Sequence, residues 1–301
     1  MMSAAGGTTP EMTNKGIVGR GPEGVRGLPA RIGFILATIF TLALLVFSVY
    51  PFIWMVLNTF KTNREIFGNP LSLPQKINLK ILSDVWKAGK LGGALRNSML
   101  VTSISVISIV AMASLAAFAL SHLRFRGKTP ILAFIVGAQV VSGQVLLIPL
   151  FRMFTQTNLI GSILSVILVY IGTGLPLSVY LFWGFFRGMS PSIYESTKID
   201  GCPDRVYYSR ILMPLSSPII GSVIVFQALF CWTEYLFALT FLKDNATHTI
   251  PLQLQVFVSQ YLTNWSYLFG ALSIAVIPVL VLYVFLQKLF IRGLTAGAIK
   301  G

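Results

Sequence analysis

The segment Ser190-Pro-Ser-Ile-Tyr-Glu195-Ser-Thr-Lys-Ile-Asp200-Gly201-Cys-Pro203-Asp204, continuing to Ile211-Leu-Met-Pro214, is a polar island between two long apolar runs. Charge is otherwise scarce: 11% of the 301 residues are charged, 55% are hydrophobic, and mean hydropathy is +0.78. Such a chain belongs in a bilayer rather than around a soluble core. By gathering Glu195, Lys198, Asp200 and Asp204 into one internal segment, it presents that segment to an aqueous partner.

Working outward from the island, a hydrocarbon core requires about 20 apolar residues per helical span. Six runs meet this, over about 32–57, 98–120, 130–150, 160–183, 217–241 and 268–290. Lipid cannot satisfy open backbone polar groups, so each run is expected to be helical, and the ten-residue alternation of a membrane β-barrel is absent. The expected fold class is all-α integral membrane, six transmembrane helices with a cytoplasmic helix–turn–helix between spans four and five. Residues 1–31, rich in Gly, Thr and Pro, are expected to be a disordered cytoplasmic tail, 32–301 the transmembrane domain, and 184–216 the connector that holds the island. The first apolar run exceeds a signal-peptide core and reads as an uncleaved span.

Basic residues set the orientation. They fall in the tail (Lys15, Arg20, Arg26, Arg31), in 121–129 (Arg124, Arg126, Lys128), in 184–216 (Arg187, Lys198, Arg205, Arg210) and near the C-terminus (Lys288, Arg292, Lys300). The opposite connections, near 151–159 and 242–267, hold Arg152 and Lys243. Loop 58–97 is also basic, but long loops weigh less than short ones. The positive-inside rule therefore places both termini and the island in the cytoplasm. The net charge of +14 is then a topology signal and not a nucleic-acid surface. Cys202 and Cys231 supply no disulfide framework.

Within the island, Ser190 is able to cap a helix, and Pro191 suits the first helical position, where a missing N–H costs nothing. A short helix is expected from Pro191 to about Asp200, stopped by Gly201 in the left-handed region. Cys202-Pro203-Asp204 opens a second helix with an acidic residue in its first turn, running to Pro214, which ends it. Ser196 and Thr197 are small enough for another surface to approach the backbone. By residue chemistry alone the unit is either a docking surface or a solvated connector with ordinary caps.

The order Glu195-Ser-Thr-Lys-Ile-Asp200-Gly201, then Ile211-Leu-Met-Pro214, resembles the EAA loop of binding-protein-dependent ABC transporter permeases. Family members usually carry Glu-Ala-Ala; here Ser196 and Thr197 keep the small size, and Cys202 stands where a small residue is common. Other segments agree in order: Asn97-Ser98, Ile148-Pro149-Leu150, Gly174-Leu-Pro176, Gly184-Phe-Phe-Arg187, Trp232-Thr-Glu234-Tyr-Leu-Phe237 and Arg292-Gly-Leu-Thr-Ala-Gly297. Together, across residues 90–301, they resemble the six-span carbohydrate-uptake permeases of the maltose-transporter type. Many relatives have Asn where Thr233 stands.

That resemblance implies a multi-pass subunit of a prokaryotic inner membrane with cytoplasmic N- and C-termini. It implies a second permease subunit, a cytoplasmic ABC ATPase dimer below, and an extracytoplasmic solute-binding protein delivering a mono- or oligosaccharide. It implies neither catalysis nor cofactor in this chain, ATP and Mg being bound by the partner ATPase. Helix 191–200 would be the coupling helix, with Glu195, Ser196, Thr197, Asp200 and Gly201 as its docking residues. Glu195 would make a polar contact or cap in the ATPase groove, and Gly201 would supply the turn that aims the helix.

For the solute path the candidates are Glu234, Gln227, Gln144, Trp232 and Tyr235, with Gln139 beside them. Glu234 is the acidic residue placed inside a span, where a carboxylate is costly and faces a bundle interior or a wet cavity. It either lines the path or is held by neighbouring helix groups. The glutamines can hydrogen-bond sugar hydroxyls or join helices to each other. Trp232 and Tyr235 can stack on a sugar face or anchor at the membrane interface. Loop 58–97 and segment 242–267 are expected to face the binding protein.

Other function classes fare worse. The nearest approach to a phosphate-binding G-x-x-x-x-G-K-[ST] loop is His122-Leu-Arg-Phe-Arg-Gly127-Lys128-Thr129, with histidine at the first glycine position and no room for a nucleotide domain. An ion-coupled secondary transporter would bring internal repeats and more carboxylates than Glu234. A membrane enzyme would need clustered His, Asp or Cys, whereas His122 and His248 fall on opposite sides of the expected topology. Glycerol phosphate or another polar solute remains open as the cargo.

Overall fold

A computed structural model of the chain describes residues 28–258 and 264–298. The expected disordered tail falls largely on residues 1–27, which lie outside the described residues, as do 259–263 and 299–301. The chain begins with α1 (Leu28–Thr59), α2 (Asn63–Gly68), α3 (Lys80–Ala88), α4 (Leu91–His122) and α5 (Lys128–Ala138). A 3-10 turn (Gly143–Leu146) leads to α6 (Leu147–Gln156), α7 (Ile163–Gly188), α8 (Pro191–Ile199) and α9 (Asp204–Val206). A π-helical stretch (Tyr207–Leu212) and α10 (Met213–Leu215) precede α11 (Ser217–Thr233) and α12 (Leu236–Phe241). Then come α13 (Ile250–Gln253), a second 3-10 turn (Leu254–Phe257) and α14 (Trp265–Ala298). No strand occurs among the described residues.

Residues up to Pro51 form one compact unit and those from Phe52 onward another. In the first, the α1 side chains from Ile32 to Tyr50 are exposed and largely apolar, the surface a lipid-facing helix requires. In the second, α4 packs along α7, and α11 lies against α4 and α14. Ser105, Ala113, Ser114 and Ala117 of α4 and Ser165 and Ser178 of α7 are all 0% exposed. Lipid gives helices no hydrophobic drive to associate, so small residues that admit close approach hold such bundles together. Larger side chains fill what remains. Phe154, Tyr170, Phe237 and Phe241 form part of one cluster, and Phe118, Phe182, Phe186 and Tyr207 part of another nearer the connector. Val85, Leu91, Trp232, Ile250 and Phe257 contribute to a third.

Four helices are long and apolar enough to cross a bilayer, and two bent pairs bring the number to as many as six. Expected spans 32–57, 98–120 and 268–290 fall within α1, α4 and α14, and 160–183 starts three residues ahead of α7. The other two expectations require correction. Instead of one helix at 130–150, α5 stops at Ala138, and the chain resumes after Ser142 with its axis turned by 90°. Val140, Val141 and Gly143 are weak helix formers, and the break packs: a Cβ on Gly143 would lie 3.2 Å from the Phe237 ring. The run 217–241 is likewise interrupted, since α11 ends at Thr233 and Glu234 is extended. The 17 residues of α11 rise about 25 Å, short of a 30 Å hydrocarbon core. Prolines cause neither break. Pro51, Pro176 and Pro278 lie inside continuous helices, and Pro214 is carried within α10, so the helix expected to end there runs on to Leu215.

Candidate functional site

The connector between α7 and α11 folds into a rigid polar hairpin. Ser190 is extended and precedes Pro191 at the first helical position. Its hydroxyl does not cap α8 as expected; it pairs with the Ser192 hydroxyl at 2.7 Å. Proline has already removed one orphan N–H, which leaves less for a cap to satisfy. At the other end Gly201 takes φ +71°. The Cys202 N–H donates to the Thr197 carbonyl (2.9 Å) and the Gly201 N–H to the Lys198 carbonyl (3.1 Å), a complete Schellman closure. A side chain at Gly201 would cost about 1–2 kcal/mol in this left-handed conformation.

Three side chains brace the hairpin. The Tyr194 hydroxyl donates to Asp204 Oδ1 at 2.8 Å, and Lys198 Nζ reaches the same oxygen at 2.7 Å while lying over the Tyr194 ring. The hydrogen bond from Lys198 holds the Asp204 carboxyl below the usual carboxylate range, and its partner raises Lys198. Glu195, Ser196, Ile199, Asp200 and Gly201 are left exposed, and Thr197 half-buried. Ile199 is 86% exposed, the most outward of the large apolar side chains near this turn. The Ser196 and Thr197 hydroxyls donate to carbonyls three residues back, at 3.1 and 2.7 Å, so the face they offer is small and already satisfied. All five docking candidates thus share one short helix and its turn.

The solute-path candidates are not all brought together. A cleft of about 1140 Å³ opens where both broken helices meet α7, and Gln139, Gln144, Gly172, Thr173, Pro176 and Glu234 are among its walls. Irregular backbone at membrane depth is tolerated where it lines a cavity, as both breaks do here. Glu234 is not in mid-span. Its carboxylate sits at the α11–α12 break, accepting from the Tyr170 hydroxyl (2.8 Å) and from the N–H groups of Phe237 (2.9 Å) and Ala238 (3.3 Å) at the start of α12. Gln227 is buried away from the cleft: its Nε2 donates to the Gly174 carbonyl (3.1 Å) and Ser178 Oγ (2.9 Å), tying α11 to α7. Trp232, 9% exposed, donates from its indole to the Ala275 carbonyl at 3.2 Å and joins α11 to α14. Tyr235 pairs with Gln255 through its hydroxyl.

Sequence reasoning missed several working contacts. Asn97 Nδ2 donates to the carbonyls of Ala246 (2.8 Å) and His248 (3.0 Å), and Ser98 Oγ accepts from the Ile250 N–H (2.8 Å), so the start of α4 clasps the segment after α12. Tyr170 is fully buried against Glu234, with no local pattern to mark it.

Long apolar helices, two of them broken around one partly polar cleft, are the architecture of a membrane transport subunit. Residues 109–296 match the family described as "Binding-protein-dependent transport system inner membrane component". The chain is 30% identical over 280 residues to the "Probable ABC transporter permease protein YurM" of Bacillus subtilis, covering 92% of this chain and 93% of that one. It is 30% identical over 257 residues to the diacetylchitobiose uptake system permease protein DasC of Streptomyces coelicolor, covering 84% and 92%. A chain in the crystal structure of a bacterial ABC transporter involved in import of the acidic polysaccharide alginate shares the fold, with TM-score 0.75 at 20% identity over 89% of this chain and 100% of its own. This chain belongs to the inner-membrane component family of binding-protein-dependent transport systems, the ABC transporter permeases.

Proposed function

We propose that the chain is a membrane subunit of an ATP-driven carbohydrate importer, in which α8 is the coupling helix. A second permease subunit completes the path, and an extracytoplasmic binding protein delivers a mono- or oligosaccharide. A cytoplasmic ATPase dimer, which binds ATP and Mg, receives α8 in a groove, with both termini of this chain on its side of the membrane. ATP-driven closure of that dimer moves α8, and the spans on either side follow as rigid bodies.

The observation that carries this reading is the braced hairpin: Tyr194, Lys198 and Asp204 fix its inner side, while Glu195, Ile199 and Gly201 stand outward on a short, stiff helix. A solvated connector needs no such bracing. Among relatives, DasC is named for diacetylchitobiose uptake, and AmyC of Thermoanaerobacterium thermosulfurigenes for starch degradation products. The cleft walls carry amide, hydroxyl and carboxylate groups and no Lys or Arg among the described residues, which favours a neutral polyol over a phosphate ester.

The test is uptake by the reconstituted assembly. Glu195→Lys reverses a charge on the docking face, and Gly201→Pro cannot adopt φ +71°. Both are expected to reduce uptake while solute binding to the external protein stays unchanged. Wild-type uptake by either variant, with normal assembly, would remove α8 from the coupling role.

A further inference from the structure

His122 closes α4 on the connector side, half-buried among rings from four elements. It stacks on Phe118, one turn back on α4, with centroids 5.2 Å apart. The Phe186 ring of α7 lies 6.3 Å away, the Tyr194 ring of α8 4.9 Å, and the Tyr207 ring of the π stretch 5.5 Å. Tyr194 and Tyr207 also meet each other edge-on at 4.9 Å. The imidazole Nδ1 lies 2.7 Å from Ser121 Oγ, and Nε2 lies 3.4 Å from the Tyr207 hydroxyl.

The wider turn of the π stretch lets consecutive tyrosines both face α4: the Tyr208 hydroxyl meets Ser114 Oγ at 2.8 Å, and its ring lies 5.5 Å from Phe118. Close-packed groups transmit displacement rather than absorb it. The chain itself joins α7 to α8 through Met189 and Ser190. Between α4 and α8 no such covalent link exists, and the His122–Tyr194 contact stands in that place. Histidine suits it because one flat ring stacks on Phe118 while its nitrogens meet Ser121 and Tyr207.

We propose that His122 is a positioning residue for energy coupling: it seats α8 on the end of α4, so that a push on α8 moves α4 and α7 as one body. This rests on the reading of α8 as the coupling helix.

The experiment uses the whole transporter, reconstituted in liposomes with its ATPase, second permease and binding protein, and reads uptake and ATP hydrolysis in the same vesicles. His122→Ala is expected to lower solute moved per ATP about tenfold, with the ATPase still bound; His122→Phe, which keeps the ring, recovers most of it. Gly201→Pro serves as the reference. If it uncouples while His122→Ala keeps the wild-type ratio, the seat is overturned and the coupling helix stands. If neither variant changes uptake or the ratio, the coupling-helix reading itself fails. A second measurement does not depend on an alanine variant folding. Spin labels introduced by Arg124→Cys and Ser192→Cys, in a Cys202→Ser background, are expected to keep one separation with and without ATP. A separation that changes with ATP means that α8 slides over α4, and overturns the seat.

Discussion

Replacing Gln227 with alanine distinguishes an amide that joins helices from one that meets a sugar. The residue is 4% exposed and donates to the Gly174 carbonyl and to Ser178 Oγ. Side-chain hydrogen bonds between membrane helices average about 0.6 kcal/mol each, so the two contribute about 1.2 kcal/mol. The Gly174 carbonyl keeps the Ser178 hydroxyl at 2.8 Å when the amide is gone. No buried acceptor is orphaned there, and the larger penalty of about 1–3 kcal/mol does not apply. Lost packing adds about 1 kcal/mol, for a total near 2 kcal/mol, roughly a thirtyfold shift in the folding equilibrium. Gln227→Leu keeps most of the packing and loses the two hydrogen bonds, so it is expected to cost about 1.2 kcal/mol. Gly174→Ala approaches the same contact from the other side: its Cβ would stand 2.7 Å from both Gln227 Oε1 and Ile109 Cδ1. Overpacking of that kind costs about 1–3 kcal/mol, against about 1 kcal/mol regained in helix propensity. The assay is denaturant titration of the purified chain in detergent, with the uptake KM measured in parallel. An unchanged unfolding midpoint for Gln227→Ala, together with an altered KM or specificity, would refute the reasoning and return Gln227 to the solute path.

Two further outcomes follow from the same structure. Glu234→Ala should be tolerated less well than Glu234→Gln in that titration, because alanine leaves the fully buried Tyr170 hydroxyl without its acceptor, at about 1–3 kcal/mol; equal stability of the two variants would dismiss the carboxylate as a cap of α12. In the hairpin, Asp204 has a lowered pKa, so its stabilising contribution is complete above the ordinary carboxylate value and lost as pH falls through the lowered one. Lys198 has a raised pKa, so its contribution is complete below the ordinary lysine value and fades only as pH rises through the raised one. Amide-exchange protection of α8 should therefore hold through neutral pH and drop in acid, and Asp204→Asn should remove the acid drop; an acid drop that persists in the variant places the sensitive group elsewhere.

The long spans were legible because lipid imposes one demand, an apolar run of sufficient length, and α1, α4, α7 and α14 meet it without interruption. The hairpin was legible because Pro191 fixes its own φ for the first helical position and the left-handed stop after α8 is a geometry that glycine alone adopts without cost, as Gly201 does. The two breaks were not. Val140 and Val141 continue the apolar run, so hydropathy carries the span straight through residues whose helix propensity is weak, and the packing of Gly143 near Phe237 that accompanies the break is tertiary. Glu234 illustrates the same limit. Its charge was conspicuous, but its partners are Tyr170, 64 residues away, and the N–H groups of a helix that exists only because the span is broken. Gln227 and Trp232 are polar-bearing groups within apolar helices, and sequence alone does not separate a side chain that faces a path from one that, like these, bonds a neighbouring helix. His122 has no metal-binding or catalytic pattern around it in sequence; its company is aromatic, assembled from four separate elements.

Pro176 and Gly172 share a wall of the cleft and one turn of α7. The proline has no N–H to return to the Gly172 carbonyl four residues earlier. Glycine has no side chain to screen that carbonyl, and nothing lies within 4 Å of where a Cβ would stand. That carbonyl therefore lacks the N–H an uninterrupted helix would return to it. It carries no net charge and holds a hydroxyl only loosely, and no side-chain substitution on a neighbouring helix removes it. On the proposed reading of the cleft as the solute path, such an oxygen would give a passing molecule a foothold without a resting place, as conduction demands of any path whose contents must leave as readily as they enter.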